Sequence, residues 1–454
     1  MHDSDERSDA LAGTPRGRRL GGRLLERFAG VGGMTLAAAI WLLDPLVLAG
    51  AAVLLLLWLT TTRGGRQSLA ITWVALSTIP ERLGATSVVV VGIAGVVGVL
   101  IALQAMAGGF EATLRAAGRD DLVLALRSGA NAELSSALDR PAVTLISQGP
   151  GIARDARGAP IVSAEVLALA NVPKRSTGSE ANLEIRGVGP AVWQVRPQVH
   201  LVRGRVFTPG LYELMVGEGA SRQFEGLELG KRLRLNGQEW LIVGVFASGD
   251  THASEVWTDA ETLMAVYRRN GFQSVAARLT APAAIETLRA ALTHDPRLRV
   301  DIETSRAYYS RQSERLTKVI RGIGTGIAVI MALGAVFGAL NTMYAAVASR
   351  TREIATLRAL GFTAVPVVAS VMLETTALAL AGGLLGAAIA WLTFNGFTVS
   401  TLGSNFSQVV FQFRVDDELV LRGLRWALGI GFVGGLFPAL RAATQPVTTG
   451  LRES

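Results

Sequence analysis

The sequence predicts an α-helical membrane bundle of four core transmembrane helices plus an N-terminal hydrophobic hairpin, with a large α+β extracytoplasmic domain inserted between core helices 1 and 2. The composition indicates a membrane protein, because 50% of the 454 residues are hydrophobic and only 18% are charged. Four apolar runs are each about one bilayer long. Between the first two runs, residues 107–304 show short alternating strand patterns and helix-like stretches, separated by Gly, Pro and Asn turns.

Composition and charge also exclude several classes of function. The net charge is +8, but the arginines are dispersed and cluster beside apolar runs, where they set membrane topology, so no nucleic-acid partner is expected. The absence of cysteine excludes thiol catalysis and Cys-ligated metals. The four histidines are scattered, and no catalytic, cofactor or metal site is predicted. His252, beside Asp250, is expected to lie in a solvated external loop.

The residues before the core spans form a tail and an apolar element. Residues 1–33 are polar with a basic cluster, and residues 34–60 are strongly apolar around Asp44-Pro45. Because basic residues flank both ends of the apolar element, we predict two short helices that turn at Asp44-Pro45 and keep both ends in the cytoplasm. A single kinked span with its N-terminus outside is the alternative. An interfacial helix over 67–79 is predicted to follow on the cytoplasmic surface.

The core spans alternate consistently across the bilayer. Basic residues beside the apolar runs predict that 61–85, 348–365 and 441–454 lie in the cytoplasm. The predicted segments are core helix 1 (86–106), the α+β domain (107–304), a stalk continuous with core helix 2 (305–347), core helix 3 (366–391), a short polar external loop (395–422), core helix 4 (423–440) and the cytoplasmic C-terminus (441–454).

Two glycine-containing patterns in the α+β domain predict turns. Asn236-Gly237, between LRL and QEWLIV, is a strong two-residue hairpin signal. The segment Gly226–Arg232 superficially resembles a phosphate-binding loop, but its glycines are one residue too close, and Arg232 stands where Ser or Thr must bind Mg²⁺. ATP binding is therefore expected in another subunit.

The connector between core helices 2 and 3 has the pattern of a short amphipathic helix. Ile354, Leu357 and Leu360 recur at helical spacing, and Gly361 supplies a C-terminal stop. The charged residues, on other faces, are Arg350, Arg352, Glu353 and Arg358. The connector is the best candidate in the sequence for the place where force is received. Positive-inside topology and helix solubility alone are the alternative explanation.

Core helix 3 contains one ionisable residue and three clustered glycines. Glu374 would be costly in the bilayer, so it is expected either to make a polar contact with Asn341 or Thr342 or to reach the cytoplasmic interface. The glycines available for close helix packing are Gly382, Gly383 and Gly386.

The segment from Ala339 to Ala387 resembles the permease core shared by macrolide-exporter, lipoprotein-releasing and cell-division ABC permeases. The shared features are an Asn at the end of the second span, an S-x-R-T-R-E-I-x-x-L-R-A-L-G connector and a third span with a Glu and paired glycines. Here they are Asn341, Ser349–Gly361, Glu374, Gly382, Gly383 and Gly386, followed by the C-terminal motif residues Pro438, Arg441 and Pro446. The element at 34–60 departs from the family pattern.

The resemblance implies a mechanism called mechanotransmission. Two permease protomers, of the same or a related chain, would pair among the lipids of the bacterial inner membrane. A separate cytoplasmic ABC ATPase holding ATP and Mg²⁺ would dock on the coupling helix at 349–361, and its motion would pass to the stalks and the periplasmic domain. Ile354 and Leu357 would fill the groove of the ATPase, and the arginines would pair with acids at its rim. No cofactor is expected on this chain.

The resemblance leaves two kinds of work open. One is export or handling of a periplasmic or lipid-associated substrate, with a periplasmic adaptor and an outer-membrane duct as further partners. The alternative is a regulator that transmits ATPase motion to a periplasmic cell-wall hydrolase and transports nothing. The substrate itself has no signature in the sequence.

Overall fold

The computed structural model describes residues 45–77, 80, 83–293, 295, 297–403 and 407–446. These residues divide into two compact units that are described separately: the membrane unit, within 1–102, 323–393 and 415–454, and the second unit, within 103–322 and 394–414. The described α-helices are α1 (Pro45–Thr61), α2 (Arg63–Ser77), α3 (Leu83–Ala116), α4 (Arg140–Ser147), α5 (Val192–Val195), α6 (Glu218–Gln223), α7 (Ala260–Val266), α8 (Ala284–Thr293), α9 (Ser305–Ser349), α10 (Thr351–Ala359), α11 (Ala364–Phe394) and α12 (Asp417–Thr444). The described strands are β1 (Leu122–Arg127), β2 (Val162–Pro173), β3 (Glu180–Val188), β4 (His200–Gly204), β5 (Glu213–Gly217), β6 (Arg232–Leu235), β7 (Gln238–Ala247), β8 (Val256–Asp259), β9 (Ser274–Arg278), β10 (Val300–Thr304), β11 (Thr398–Leu402) and β12 (Gln408–Gln412).

Four of the described helices, α3, α9, α11 and α12, are long and apolar enough to cross a membrane. This confirms the four predicted core spans, and α9 runs without a break through the predicted stalk and core helix 2. The helices extend beyond their predicted limits, most of all α3, which continues to Ala116, and α12, which begins at Asp417. The early start of α12 follows from its cap: the Asp416 side chain accepts a hydrogen bond from the backbone N–H of Leu419.

The N-terminal apolar element is described only from its second half onward. Helix α1 is described over Pro45–Thr61. Residues 1–33 and the first part of 34–60, including Asp44, lie outside the described residues, so the predicted hairpin stays a prediction. Helix α2 begins at Arg63, before the predicted start of the interfacial helix, and exposes Trp73.

Glycines set the close approach of α11 to its neighbours within the membrane unit. A Cβ added at Gly382 would lie 2.7 Å from the carbonyl oxygen of Val90 on α3. A Cβ at Gly386 would collide with the carbonyl oxygen of Ala94, also on α3. Gly383 faces α12 instead. Each predicted packing glycine therefore lies at a helix contact where a larger residue would force the helices apart.

The second unit is built on a ten-stranded mixed sheet in the order β10-β1-β9-β2-β3-β8-β5-β7-β4, with β6 paired to β7. The pairs β3–β8 and β5–β7 are parallel, and the other pairs are antiparallel. The β6–β7 hairpin turns at Asn236 and Gly237 with φ of 46° and 81°, which confirms the predicted hairpin. Gly226–Arg232 is a turn leading into β6, also as predicted.

The segment 395–422, predicted as a short polar external loop, contains regular structure over most of its length. Strands β11 and β12 form an antiparallel hairpin, and α12 starts before the end of the predicted loop. Val409 and Phe411 alternate along β12 and are buried, and the Phe411 ring lies 5.6 Å from the Phe110 ring of α3. The apolar alternation in QVVFQ is therefore satisfied by packing in the second unit rather than left in solvent.

The expected solvated position of His252 is wrong. The Asp250 side chain accepts a hydrogen bond from the His252 backbone N–H and caps a short 3₁₀ turn, Thr251–Ser254. This turn directs the imidazole inward, so His252 is only 1% exposed, with its Nδ1 3.0 Å from Glu255 Oε1.

Candidate coupling site

Helix α10 is a separate nine-residue segment between α9 and α11. Arg350 leaves the helical conformation with φ −107° and ψ 11°, so a single residue divides α9 from α10. At the other end Gly361 has φ +96°, and its N–H donates to the carbonyl oxygen of Arg358 at 3.1 Å. This left-handed glycine ends the helix as the sequence predicted.

The two faces of α10 differ in burial. Ile354 and Ala355 are buried against the membrane unit, and Leu357 is half-buried. The Ile354 side chain is 9% exposed within its own chain, and its expected place in a groove of the ATPase stays a prediction. The outward stripe contains Arg352, Glu353, Thr356, Ala359 and Leu360. Leu360 is 73% exposed, which makes it the apolar side chain that α10 offers to solvent.

Arg350 connects the start of α10 to two other helices. Its Nη1 donates to Glu374 Oε2 of α11 at 3.2 Å, and its Nη2 donates to the carbonyl oxygen of Ala75, near the end of α2, at 3.1 Å. The Arg350 and Glu374 side chains are 17% and 8% exposed. Glu374 thus has Arg350 as its partner, where the sequence suggested Asn341 or Thr342. In this structure Arg350 contacts residues of its own chain, whereas the sequence predicted that it would pair with acidic residues at the rim of the ATPase groove.

Arg358 connects the other end of α10 to the end of α12. Its Nη1 donates to the carbonyl oxygen of Gln445 at 2.5 Å. Gln445 is the C-cap of α12, where unpaired carbonyl groups and the helix dipole favour a cation. Both ends of α10 are therefore held by arginine contacts to the helices around it.

A cavity of about 810 Å³ lies beside α10, between α2, the end of α9 and α11. Its wall is mainly apolar, with contributions from Ile71, Met343 and Val371. Arg350, Glu374 and the half-buried Leu357 also line it.

The remaining predicted residues lie around this site. Asn341 is exposed on α9, so its side chain points away from the other helices of the unit. Pro438 is buried inside α12, and the Arg441 guanidinium lies 5.6 Å from the centre of the Tyr344 ring of α9. Pro446 follows Gln445, the C-cap of α12. The C-terminal motif thus helps to hold α12 to α9.

Two partners of the site are carbonyl groups, and sequence reasoning missed them. The acceptors at Ala75 and Gln445 are main-chain atoms, which carry no side-chain signal. The Arg350–Glu374 pair was missed because its members belong to different elements. A charged residue at a break between helices, facing a buried acid, was the available signal.

The chain matches two family descriptions over most of its length. The MacB-like periplasmic core domain matches residues 83–295, and the FtsX-like permease C-terminal matches residues 325–447. The chain belongs to the MacB family of ABC permeases. With its four membrane-length helices, this permease is a multi-pass inner-membrane protein whose second unit is a large periplasmic domain.

Curated relatives of this permease include macrolide export ATP-binding/permease proteins. The Vibrio parahaemolyticus protein MacB is 23% identical over 64% of this chain and 46% of its own length, and a Shewanella MacB is 23% identical over 73% and 56%. The chain thus spans about half the length of the curated relatives it matches. The periplasmic region of MacB from Actinobacillus actinomycetemcomitans aligns with 13% identity and a TM-score of 0.33, over 43% of this chain and 92% of that one.

Proposed function

We propose that this permease works by mechanotransmission: a separate cytoplasmic ABC ATPase, holding ATP and Mg²⁺, docks on α10 and moves the membrane helices and the periplasmic domain. The observation that carries the proposal is that α10 is held at both ends, by Arg350 to α2 and α11 and by Arg358 to α12. A displacement of α10 would therefore reach three helices at once.

Helix α9 offers a route for this motion toward the periplasm. It is continuous for 45 residues, from the end of β10 to the residue before Arg350, which corresponds to about 68 Å of helix. An unbroken helix transmits axial and rotational displacement better than a segmented chain, because its backbone hydrogen bonds would have to break before it bends sharply. The substrate would be handled on the periplasmic side, as a periplasmic or lipid-associated molecule. Export is supported by the names of the curated relatives.

The outward stripe of α10 has the composition of a docking surface. Leu360 supplies an exposed apolar anchor, and Arg352 and Glu353 supply charges of both signs beside it. Such an arrangement favours a partner with an apolar pocket and a charged rim. Ile354→Asp would not test docking, because it would place a charge in the buried face of α10.

Leu360→Asp is expected to weaken ATPase binding roughly thirtyfold or more, because removing an apolar anchor costs about 2 kcal/mol or more. The measurement is affinity purification of the full tagged chain from native membranes, with the captured protein identified by mass spectrometry as a P-loop ATPase and assayed for ATP hydrolysis.

Leu211→Asp is the matched control, because Leu211 is an exposed leucine of the periplasmic domain. It should leave capture unchanged. Docking on the α10 stripe would be contradicted if Leu360→Asp, present at the wild-type level in the membrane, captured as much ATPase as wild type.

A second protomer would fit on one face of α9. Gly334 and Gly338 form a G-x-x-x-G pair, and a Cβ added at either would meet no atom within 4 Å. Asn341 continues this face and is exposed. Small residues allow close approach of a second helix, and a polar residue in a span is stabilised by a partner rather than by lipid. These features support a dimer, with a second copy of this chain as the partner.

Asn341→Cys is expected to form a disulfide-linked dimer on mild oxidation in membranes. Any disulfide within the protein must form through the introduced thiol, because the chain has no native cysteine. Leu392→Cys serves as the control, since Leu392 is 74% exposed but lies on α11. The readout is the fraction of dimer on non-reducing gels. Equal cross-linking at both positions would indicate random collision and would count against the α9 interface.

A further inference from the structure

The two edges of the large periplasmic sheet differ in what covers them. The strand order begins at β10 and ends at β4, so each of these strands has one edge without a neighbour among the strands that the structure describes. An edge strand directs alternate main-chain N–H and C=O groups away from its sheet, and these groups need another partner. The surroundings of β10 and β4 therefore decide which edge is open to another chain.

The β10 edge is covered by its own chain. Helix α8 packs against β10, and Arg289 of α8 donates to the carbonyl oxygen of Ile302 through Nε at 3.3 Å and through Nη2 at 3.2 Å. A side chain thus already satisfies a main-chain acceptor of this strand. Ile302 itself is buried, and Asp301 is the exposed residue among the five residues of β10. This edge therefore offers little to a further strand.

The β4 edge is open. All five residues of β4 are exposed, and the exposed fractions of Leu201 and Val202 are 41% and 44%. Strand β4 pairs with β7, and within the described part of the chain no side chain forms a hydrogen bond with its main chain. Exposed leucine and valine on an unpaired edge form a template for another strand. The β4 edge therefore has the features of a surface that an extended segment completes.

Exposed apolar side chains lie along the β4–β7 pair. A Cβ added at Gly204, the last residue of β4, would lie 2.8 Å from Leu229 Cδ1. A Cβ added at Gly244, the partner of Gly204 in β7, would lie 3.2 Å from Leu201 Cδ1. Leu229 is 44% exposed, like its neighbours on β4. Because contacts between side chains on adjacent strands stabilise a sheet, the two leucines would contact the apolar side chains of an added strand.

The charge at this edge favours an acidic partner. Arg203 is exposed, and it forms no ion pair with any residue that the structure describes. Arg205, two residues later, is instead paired with Glu213. Opposite charges on neighbouring strands stabilise their pairing, and like charges oppose it. The Arg203 guanidinium is therefore available to a carboxylate of another chain.

A second copy of β4 is a poor occupant of this edge. The sequence of β4, HLVRG, contains an arginine and no acidic residue. Antiparallel pairing of two copies would bring two arginines and no carboxylate to the new strand pair. The register shift between Leu201 and Arg203 also interrupts the strand, a feature that natural edges use against indiscriminate pairing. The occupant that fits is therefore a different chain that carries acidic residues.

We propose that the open edge of β4 binds an extended, acidic segment of a periplasmic protein, which adds to the sheet as a strand beside β4. Main-chain hydrogen bonds would supply affinity, Leu201 and Leu229 would contact apolar side chains of the segment, and Arg203 would pair with one of its carboxylates. All of these residues lie in the periplasmic domain, so the proposal does not depend on ATPase docking at α10.

The first test measures the charge preference of the edge on the full chain in nanodiscs of neutral lipid. Three fluorescent seven-residue peptides alternate valine with glutamate, lysine or threonine, and fluorescence anisotropy reports their binding. The glutamate peptide should bind about tenfold more tightly than the lysine peptide, and Arg203→Glu should reverse this order. Arg299→Glu, at an exposed arginine directly before β10, is the matched control and should keep the wild-type order. No binding of the glutamate peptide, or the same order in Arg203→Glu and wild type, would overturn the proposal.

The second test separates strand addition from a simple charge contact, using two N-methylated forms of the glutamate peptide. One form is methylated at its valines and the other at its glutamates, so both keep the charge and each loses one alternate set of N–H donors. A strand bonds to one neighbour through only one such set, so one form should bind like the parent peptide and the other should not bind. Bound parent peptide should also slow amide hydrogen exchange in residues 200–204 and leave 300–304 unchanged. Equal affinity of the two methylated forms, or unchanged exchange in 200–204, would overturn strand addition at β4.

Discussion

Replacing Arg186 with leucine is expected to prevent the periplasmic domain from folding at neutral pH. The Arg186 guanidinium on β3 pairs with four carboxylates that are at most 6% exposed, those of Glu133, Glu165, Glu184 and Glu255. The substitution leaves these carboxylates buried with one guanidinium group, Arg196, which reaches only Glu165 among them. Removing one partner of a single buried pair costs about 3–5 kcal/mol, so the loss here should exceed about 5 kcal/mol, comparable to the whole stability of many domains. The readouts are the level of folded chain in membranes and the protease resistance of the periplasmic domain.

Two further arginine variants separate this cause from a general loss of charge. Arg140→Leu removes a bidentate contact to Glu261 in which both side chains are more than half exposed, so the protease resistance should stay close to that of wild type. Arg186→Lys keeps the charge but replaces five donors in a fork with three, so it should fall between the two leucine variants. If Arg186→Leu showed the protease resistance of wild type, the periplasmic domain would not depend on the Arg186 ion pairs for its folding.

The membrane spans and the short helix α10 could be predicted from the sequence because their signals are local. Runs of apolar residues about one bilayer long define spans, and flanking arginines define their cytoplasmic ends. Gly361 could be predicted as the end of a helix because only glycine adopts φ +96° without strain. Gly382 and Gly386 could be predicted as packing positions because close helix contacts require small residues.

The burial of Glu184 and Arg186 could not be predicted, because the alternation in β3 suggests the opposite. Leu183 and Ile185 lie on one face of the strand, and Glu184 and Arg186 lie on the other, which is the pattern of a sheet with one solvated face. In the structure all four are buried, because the second face is covered too. The covering residues come from distant parts of the chain, such as Tyr308 and Ser407, and a local pattern does not contain them.

The same limit applies to the orientation of α10. Helical spacing placed Ile354, Leu357 and Leu360 near one another but did not determine which would face the membrane unit and which would be exposed. The contacts decide it: Arg350 and Arg358 hold α10 in a rotation that buries Ile354 and exposes Leu360. Orientation of a short amphipathic helix is thus a tertiary property, set here by two charged side chains.

Arg350→Met is expected to destabilise the membrane unit by about 3 kcal/mol, which should lower its thermal midpoint in detergent by roughly 5 °C or more. The variant leaves Glu374 with 8% exposure and without its charged partner, and it also removes the contact to the Ala75 carbonyl group. The figure is at the lower end for buried pairs because the Arg350 side chain is 17% exposed. Arg352→Met, at an exposed arginine two residues away, should change stability by no more than about 0.5 kcal/mol.

The double variant Arg350→Met, Glu374→Leu distinguishes a stabilising pair from a transmitting one. Apolar replacement of both members of a buried pair is often neutral or stabilising, so the thermal midpoint should return to near that of wild type. The contact between Arg350 and the Ala75 carbonyl group stays lost, so α10 is no longer tied to α2. If α10 transmits motion, this double variant should fold and bind its ATPase but respond less to ATP, measured as the ATP-dependent change in cross-linking at Asn341→Cys. If the double variant recovers both its stability and its full response to ATP, the Arg350–Glu374 pair serves only to stabilise the fold. The motion would then be transmitted through the Arg358 contact alone.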